Sequence, residues 1–439
     1  MNSIKSSLTK TRSRISNLLG SAFPSTPSER VIVEEPDYYK TGGFHPISLG
    51  DTFHHNQYTI LRKLGYGQYS TVWLARDSNY DRFVALKVLR ADCYSGPRDI
   101  FEKAILAKIS EASRQSSHEG RKYVSHLLDQ FKHSGPNGDH VCLVFDVLGH
   151  HLDFQTVRYK DGKLPINAVK SITRQLLLGL DFLHRECGVI HTDLKPTNIL
   201  LELENANSTV SKYLSEVSVR TSPQSGSTTP LREVITTPLV SEMKDIHIRI
   251  IDFGVSSWKH NHLSERIQSP ALRAPEVTVG AVWDTGVDIW SLGCLLVELV
   301  QGIVLFSGEA SERGAWTAED DSLARIIEIL GPFPLHLIET GSRSAKFFDK
   351  QGKLFRIPNM KSTSLERLIN GAEKPFLKPS DMPDFEVPIF IDFLKGMLDI
   401  DPRTRKSAAE LLQHEWICMR KSNNDNAHPA VAHHPDQPN

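Results

Sequence analysis

Polar and apolar residues alternate along the early part of the chain, which is the pattern of half-buried β-strands. Residues 58–75 alternate, break at two glycines and resume, and this predicts a β-hairpin with a pliant tip. A further strand over residues 82–89 carries Lys87 within an apolar run, and residues 140–149 form a buried strand that ends at a glycine. The pattern therefore predicts a small, β-rich unit in this part of the chain.

Apolar residues spaced three and four apart indicate helices between and after these strands. The first stripe comprises Phe101, Ile105, Leu106 and Ile109. Glu102 lies within the same helix, and a second stripe over residues 169–183 ends just before a polar loop. Residues 287–300 are apolar nearly all round, which is typical of a buried helix. Together with the strands, these helices predict an α+β fold with a larger, helical C-terminal part.

The polar loop between two apolar runs, residues 191–198, carries the most distinctive chemistry. It places a carboxylate at Asp193, an ammonium at Lys195 and a carboxamide at Asn198. Phosphoryl transfer needs a carboxylate that orients the attacking hydroxyl, a cation that neutralises the moving phosphate, and an oxygen ligand for Mg²⁺. Taken alone, the same loop could be an ordinary turn, so the interpretation depends on the motifs around it.

The loop resembles the catalytic loop of eukaryotic protein kinases, H-R-D-x-x-x-x-N, with Thr192 where most of them have arginine. Other kinase-like motifs occur in the order of that family. They are a glycine-rich hairpin reading G-x-G-x-x-S, the strand with Lys87, D-F-G at residues 252–254 and A-P-E at residues 274–276. The resemblance therefore rests on a series of motifs and not on one loop.

The resemblance covers residues 58–417 and implies a two-lobed protein kinase fold. It assigns residues 58–148 to a small β-rich lobe and residues 149–417 to a larger helical lobe, with ATP and Mg²⁺ bound between them. The residues that it implies around the nucleotide are Leu64, Gly65, Tyr66, Gly67, Gln68, Tyr69, Ser70, Val72, Ala85, Asp146, Leu148 and Leu200.

The resemblance also implies roles for single residues. Lys87, fixed by Glu102, would hold the α- and β-phosphates of ATP, and Asn198 and Asp252 would hold Mg²⁺. Hard cations such as Mg²⁺ prefer oxygen ligands, which both side chains supply. Three supporting roles follow in the same way: Ser269 contacts Asp193, Asp288 braces the catalytic loop, and Arg405 pairs with Glu276.

Finer features are similar to one family, the SR protein kinases. Residues 145–152, F-D-V-L-G-H-H-L, resemble that family's hinge, and H-T-D at residues 191–193 replaces H-R-D. Residues 319–331 resemble its docking-groove helix. Asp146 in the hinge, D-F-G and A-P-E depart from the family's usual residues and indicate a divergent member. The resemblance implies transfer to Ser or Thr of Arg/Ser-rich proteins.

Two acids on the docking helix match that family's docking positions, Asp321 and Glu328. They are two helical turns apart and would share one face. Acids at a helix start also interact favourably with the macrodipole, which is the alternative explanation for Asp321 but not for Glu328. Because Thr192 cannot pair with a phosphate, we also expect activity without phosphorylation of the activation loop.

Two other functions compete with this interpretation. A pseudokinase scaffold would lack part of the polar set, yet all six of its members are present: Lys87, Glu102, Asp193, Lys195, Asn198 and Asp252. A proline-directed or general Ser/Thr kinase remains open, and Arg/Ser peptides tested against Ser-Pro peptides would distinguish it.

Composition limits the partners. The 439 residues carry a formal charge of -1 and are 39% hydrophobic, so nothing attracts the whole chain to nucleic acid or an anionic membrane. The five cysteines are scattered, which is typical of reduced thiols in an intracellular protein. No apolar run is long enough to span a bilayer. We therefore expect a monomer that binds protein substrates but neither nucleic acid nor membrane.

Three segments lie outside this pattern. Residues 1–57 are predicted to be a basic, largely disordered arm and lead-in, residues 205–244 a disordered insert, and residues 418–439 a disordered tail. Residues 1–30 also fit a mitochondrial transit peptide. The family resemblance favours cytoplasm and nucleus, with mitochondrial import as the alternative.

Overall fold

The protein's structure, a computed structural model, describes residues 36–94, 101–217, 239–240 and 245–419. Within these ranges, an antiparallel sheet forms the N-terminal part. Its strands are β1 (Thr52–Phe53), β2 (Tyr58–Tyr66), β3 (Ser70–Asp77), β4 (Arg82–Leu89), β5 (Asp129–Gly135) and β6 (Gly138–Asp146). They lie in the order β1-β2-β3-β4-β6-β5. The predicted hairpin is β2–β3, and the predicted strands at 82–89 and 140–149 are β4 and β6.

The alternation along β4 gives the sheet two different faces. Val84, Leu86 and Val88 are fully buried in the core of the sheet. Ala85 and Lys87 project to the opposite face, where they are only partly buried. That face is the one that meets the rest of the protein, so the strand pattern itself places Lys87 at the junction of the two parts.

Helix α1 (Glu102–Gln115) lies between β4 and β5 in the chain and confirms the predicted helix. Ile105, Leu106 and Ile109 are buried and belong to the large hydrophobic core. Glu102, in the first turn, is only 2% exposed. The apolar stripe thus fixes the rotation of α1 so that Glu102 faces inward.

The remaining described chain is mainly helical. Its helices are α2 (Leu152–Val157), α3 (Ile166–Asp181), α4 (Ala206–Glu216), α5 (Pro275–Val279), α6 (Gly286–Gln301), α7 (Ala318–Leu330), α8 (Leu335–Thr340), α9 (Leu365–Ile369), α10 (Glu386–Met397), α11 (Ala408–Leu412) and α12 (Glu415–Cys418). Two short antiparallel pairs join β7 (Val189–Ile190) to β10 (Ser257–Trp258) and β8 (Ile199–Leu201) to β9 (Ile248–Ile250). The α+β, two-lobed prediction is confirmed.

Helix α4 corrects the prediction of a disordered insert over residues 205–244. Asn205 caps it by accepting a hydrogen bond from the Ser208 amide at 3.0 Å. Val210 is fully buried in a cluster with Leu74 of β3 and Val147. The prediction is wrong for residues 206–216 because this helix packs against the small lobe; residues 218–238 and 241–244 lie outside the described residues.

The lead-in before Tyr58 is likewise part of the small lobe, contrary to the predicted arm. Phe44, Ile47 and Phe53 are at most 2% exposed, and β1 pairs with β2. The lobe therefore begins before residue 58. Residues 1–35 and 420–439, which hold the predicted basic arm and most of the predicted tail, lie outside the described residues. In the part of the chain that is described, no helix combines the length and apolarity needed to cross a membrane.

Candidate active site

Three charged side chains from separate elements meet at the junction of the lobes. Lys87 on β4 donates to Glu102 on α1 at 2.6 Å and to Asp252 at 3.0 Å. Burial alone would lower the pKa of Lys87, but the Asp252 and Glu102 carboxylates outweigh it and raise that pKa. The Lys87 ammonium in turn lowers the pKa of Asp252 to about 2. Lys87 and Asp252 are therefore both charged at neutral pH, which suits phosphate and metal binding.

The polar loop brings the predicted catalytic groups into direct contact. Asp193 Oδ2 accepts a hydrogen bond from Lys195 Nζ at 2.5 Å, and Asp193 Oδ1 accepts one from Ser269 Oγ at 3.0 Å. Asn198 Nδ2 donates to the backbone oxygen of Asp193 at 3.0 Å. The structure thus gathers all four residues into one cluster, while their catalytic roles stay predictions.

Asp288, at the start of α6, binds the backbone of the polar loop at residues 191 and 192. Its carboxylate accepts hydrogen bonds from the amides of His191 and Thr192, both at 2.8 Å, and from His184 at 2.9 Å. Burial alone would raise the pKa of Asp288, but the bond from His184 and the neighbouring amide keep it below its ordinary value. Thr192 has a φ of 65°, an unfavourable angle for a β-branched residue, so these bonds maintain a strained backbone.

Two hydroxyl contacts that sequence reasoning missed tie the D-F-G segment to this loop. Thr192 Oγ1 donates to the Val255 carbonyl at 2.8 Å, and Ser256 Oγ donates to the His191 carbonyl at 3.0 Å. The β7–β10 pairing continues the contact, with Ser257 opposite Ile190. Thr192 therefore joins the polar loop to the segment after Asp252 by a hydrogen bond, without a charged partner.

The hairpin tip and the open face of the sheet form the predicted nucleotide site. A Cβ atom at Gly65 or Gly67 would meet no atom within 4 Å, so a phosphate can approach the backbone amides there. Val72 lies opposite Lys87 in the ladder, and Ala85 lies two residues before Lys87 on the same face. Half-buried or exposed side chains are those of Leu64, Tyr66, Gln68, Tyr69, Val72, Ala85, Asp146, Leu148 and Leu200, whereas Ser70 is buried. Their contact with a nucleotide stays a prediction.

Asn198 and Asp252 fit a hard divalent cation. The Ile251 amide donates to the Asn198 carbonyl at 3.0 Å, which joins the two predicted metal-binding segments through the backbone. Asn198 uses Nδ2 inside the loop and keeps Oδ1 as a ligand atom, and Asp252 supplies a carboxylate. Within the described ranges, no group of three or more His, Cys, Asp or Glu side chains is arranged to hold a metal ion.

The segment that carries Ser269 is anchored at its far end. Arg405 pairs with Glu276 through two hydrogen bonds of 2.6 and 2.9 Å, and both side chains are fully buried. This confirms the predicted pair. Gln268, which the sequence did not single out, donates to Ser291 Oγ and to the Val287 carbonyl at 2.8 Å. Both anchors fix the backbone beside Asp193.

The acidic run at the start of α7 is neutralised within the protein. Glu319 accepts from Arg343 at 2.8 Å and lies 3.5 Å from Arg273. Asp320 is 1% exposed and pairs with Arg356 at 2.8 Å. Glu319 and Asp320 are therefore both paired with arginines of the protein itself.

The two docking acids also have partners. Asp321 accepts from Arg325 and from the Glu309 amide, both at 2.8 Å. Glu328 accepts from the Lys361 amide at 2.7 Å. Both carboxylates remain partly exposed, so their contact with a substrate stays a prediction.

Comparison with known proteins agrees with this geometry. A family model described as "Protein kinase domain" matches residues 58–417. "Serine/threonine-protein kinase SRPK" of Physarum polycephalum is 34% identical over 88% of this chain and 91% of its own length. "Protein kinase dsk1" of Schizosaccharomyces pombe is 31% identical over 88% of this chain and 85% of its own. "SRSF protein kinase 3" of Mus musculus is 28% identical over 90% and 94%.

Proposed function

Because this chain is a serine/threonine protein kinase of the SR protein kinase family, we propose that it transfers the γ-phosphoryl group of ATP to Ser or Thr in Arg/Ser-rich protein segments. The relatives named for SRSF proteins support this substrate class. The observation that carries the catalytic part is the contact of Asp193 with Lys195 and Ser269 beside the Lys87–Glu102–Asp252 group.

The reaction follows from these positions. A substrate serine hydroxyl donates its hydrogen bond to Asp193, which orients the oxygen and takes up the proton as attack proceeds. The new bond joins that oxygen to the γ-phosphorus, and the bond from phosphorus to the bridging oxygen breaks, leaving ADP. Lys195 neutralises charge on the transferred group, and Lys87 holds the α- and β-phosphates. Bound Mg²⁺ would neutralise phosphate charge, with Asn198 and Asp252 as its ligands.

Asp321 would bind a long substrate while it stays paired with Arg325. Arg325 and the Glu309 amide both bond to Oδ2 of Asp321, so a substrate arginine can approach the same carboxylate through Oδ1. The double variant Asp321→Lys/Glu328→Lys should weaken the binding of long Arg/Ser substrates, and most strongly at low salt. Phosphorylation of a short peptide that reaches only the active site should change little. Glu312→Lys with Glu339→Lys supplies the same charge change at exposed acids elsewhere. The docking role would be refuted if both double variants lost the same affinity for the long substrate. It would also be refuted if Asp321→Lys/Glu328→Lys impaired the long substrate and the short peptide equally.

The substrate class is tested with three peptides of equal length and radiolabelled ATP. We expect kcat/KM for an Arg/Ser repeat to exceed that for a Lys/Ser repeat and for a Ser-Pro peptide at least about tenfold. Preference for the Ser-Pro peptide would establish the proline-directed alternative. Failure to phosphorylate any protein or peptide would establish the pseudokinase scaffold.

Three further features belong to the same proposal. We propose a monomer, no direct binding of nucleic acid, and residence in cytoplasm and nucleus. The near-neutral charge of the chain supports the second point. Light scattering, a nucleic-acid shift assay and imaging of a fluorescent fusion test them, and import into mitochondria would instead support a transit peptide at residues 1–30.

A further inference from the structure

A recess separate from the candidate active site lies where the C-terminal end of α1 meets β9. It has a volume of about 530 Å³, within the range of small-molecule sites. Its charged and polar lining includes Ser110, Arg114, Arg121, Lys122, His126 and Arg249. None of these residues belongs to the predicted ATP, metal or docking sites.

The recess is strongly cationic. Four of its residues are Arg or Lys, and Glu202 is the single carboxylate among its described lining residues. Glu202 is paired with Arg249. Arg121 bonds to the neutral Ser113 carbonyl at 2.8 Å, so its charge is not cancelled there. Arg114 and Lys122 are exposed and, within the described chain, have no carboxylate partner. A net positive charge therefore converges on one concave surface.

Two further groups of the recess favour an anionic ligand with oxygen atoms. Burial lowers the pKa of His126, and Arg249 and Arg121 lower it further because a positive ring is repelled there. Ser110 Oγ is buried in the recess without a hydrogen-bond partner among the described residues. A buried hydroxyl without a partner costs free energy, and a ligand oxygen would satisfy it.

We propose that this recess is a binding site for a compact polyanion that carries several phosphate groups. Guanidinium groups bind phosphate through paired, charge-assisted hydrogen bonds, and the recess offers those of Arg114 and Arg121 beside the Lys122 ammonium. Arg249 is paired with Glu202 through Nε and can add a contact through Nη2. A small ligand fits better than nucleic acid, since the chain has a formal charge of -1 and the volume is that of a small molecule.

Such a ligand would connect two elements of the active site. Ser110 and Arg114 lie on α1, which carries Glu102, and Arg249 lies on β9, three residues before Asp252. A polyanion that binds both elements would hold α1 in the position where Glu102 pairs with Lys87. We therefore expect its binding to lower KM for ATP.

The test is calorimetric titration of the full chain with inositol hexakisphosphate, with a non-hydrolysable ATP analogue present at saturation to occupy the active site. We expect binding that weakens as salt is raised. Arg114→Glu with Lys122→Glu should weaken it at least about tenfold, because two charge-assisted contacts are lost. Arg313→Glu with Lys350→Glu makes the same charge change on the exposed surface of the large lobe and should leave affinity within about twofold.

Four outcomes would overturn the proposal. These are no binding by the wild-type chain, no loss in the Arg114→Glu/Lys122→Glu variant, equal loss in both charge-reversed pairs, and binding of a phosphoserine peptide in place of the small polyanion. A circular dichroism spectrum of each variant identifies any loss of fold, and Ser110→Ala provides a conservative second variant that should weaken binding without changing charge.

Discussion

The buried pair of Arg405 and Glu276 offers a quantitative test of how the substrate-facing segment is held. Both side chains are fully buried and share two hydrogen bonds of 2.6 and 2.9 Å. Arg405→Met leaves the Glu276 carboxylate buried without its partner, which costs about 3–5 kcal/mol. Domains are stable by about 5–15 kcal/mol, so this is a large fraction of the total.

Glu276→Gln should cost less, because Arg405 also donates to the carbonyls of Asp399 and Gly286, both at 2.9 Å. The double variant Glu276→Leu with Arg405→Met removes both charges together. It should be more stable than Arg405→Met alone, since no charge is left buried without a partner.

Urea unfolding followed by tryptophan fluorescence measures these differences. A loss below about 1 kcal/mol in Arg405→Met would refute the reasoning, as the carboxylate would then not depend on its partner. A double variant that loses the sum of the losses of Glu276→Leu and Arg405→Met, each measured alone, would show that the residues are not coupled.

Three other predictions concern regulation, the insert helix and pH. Activity should survive phosphatase treatment, because hydroxyl contacts order the activation segment; loss that is reversed by phosphorylation of Ser256, Ser257 or Ser264 would contradict this. Val210→Ala should lower the free energy of unfolding by on the order of 2 kcal/mol while the exposed Ser211→Ala changes it little, and equal effects in urea unfolding would show that α4 does not pack stably. The free energy of unfolding should fall as pH drops below about 6.5, because burial and the neighbouring His133 and His140 lower the pKa of His45 to about 3. Between these two pH values the unfolded chain binds a proton at His45 that the folded chain does not. His45→Gln should flatten the pH dependence of unfolding, and an unchanged profile would exclude His45 as its source.

The site was predictable because its residues lie in short motifs with fixed spacing. Asp193, Lys195 and Asn198 occur within six residues, so the local chain alone brings them together. Lys87 and Glu102 come from separate elements. The alternation of β4 determines the direction of Lys87, and the apolar stripe of α1 determines that of Glu102. The periodicity of these two elements was therefore enough to predict the Lys87–Glu102 contact.

Helix α4 was not predicted because its polar composition is also typical of disordered segments. Serine, threonine and asparagine over residues 205–211 favour turns and disorder as well as helix caps. The signal was nevertheless present, since Asn205 is an N-cap and the apolar residues recur at helical spacing. Those residues are Val210, Tyr213, Leu214 and Val217.

The neutralised acids of α7 could not be predicted from local spacing. Glu319 and Asp320 take their arginines from Arg343 and Arg356, 24 and 36 residues later in the sequence. A sequence pattern shows the sign of a charge but not the partner that the fold brings to it. Only Arg325, one helical turn after Asp321, was locally visible.

The most direct test of the central claim is the turnover of Asp193→Asn on an Arg/Ser-rich protein, measured beside ATP affinity. We expect kcat to fall by about 10²–10⁴-fold, because the hydroxyl loses the group that orients it and accepts its proton. ATP affinity should stay within about twofold, whereas Lys87→Met should weaken it, since in the proposed mechanism Lys87 and not Asp193 holds the phosphates. Wild-type turnover by Asp193→Asn would contradict the assignment of this loop as the catalytic site.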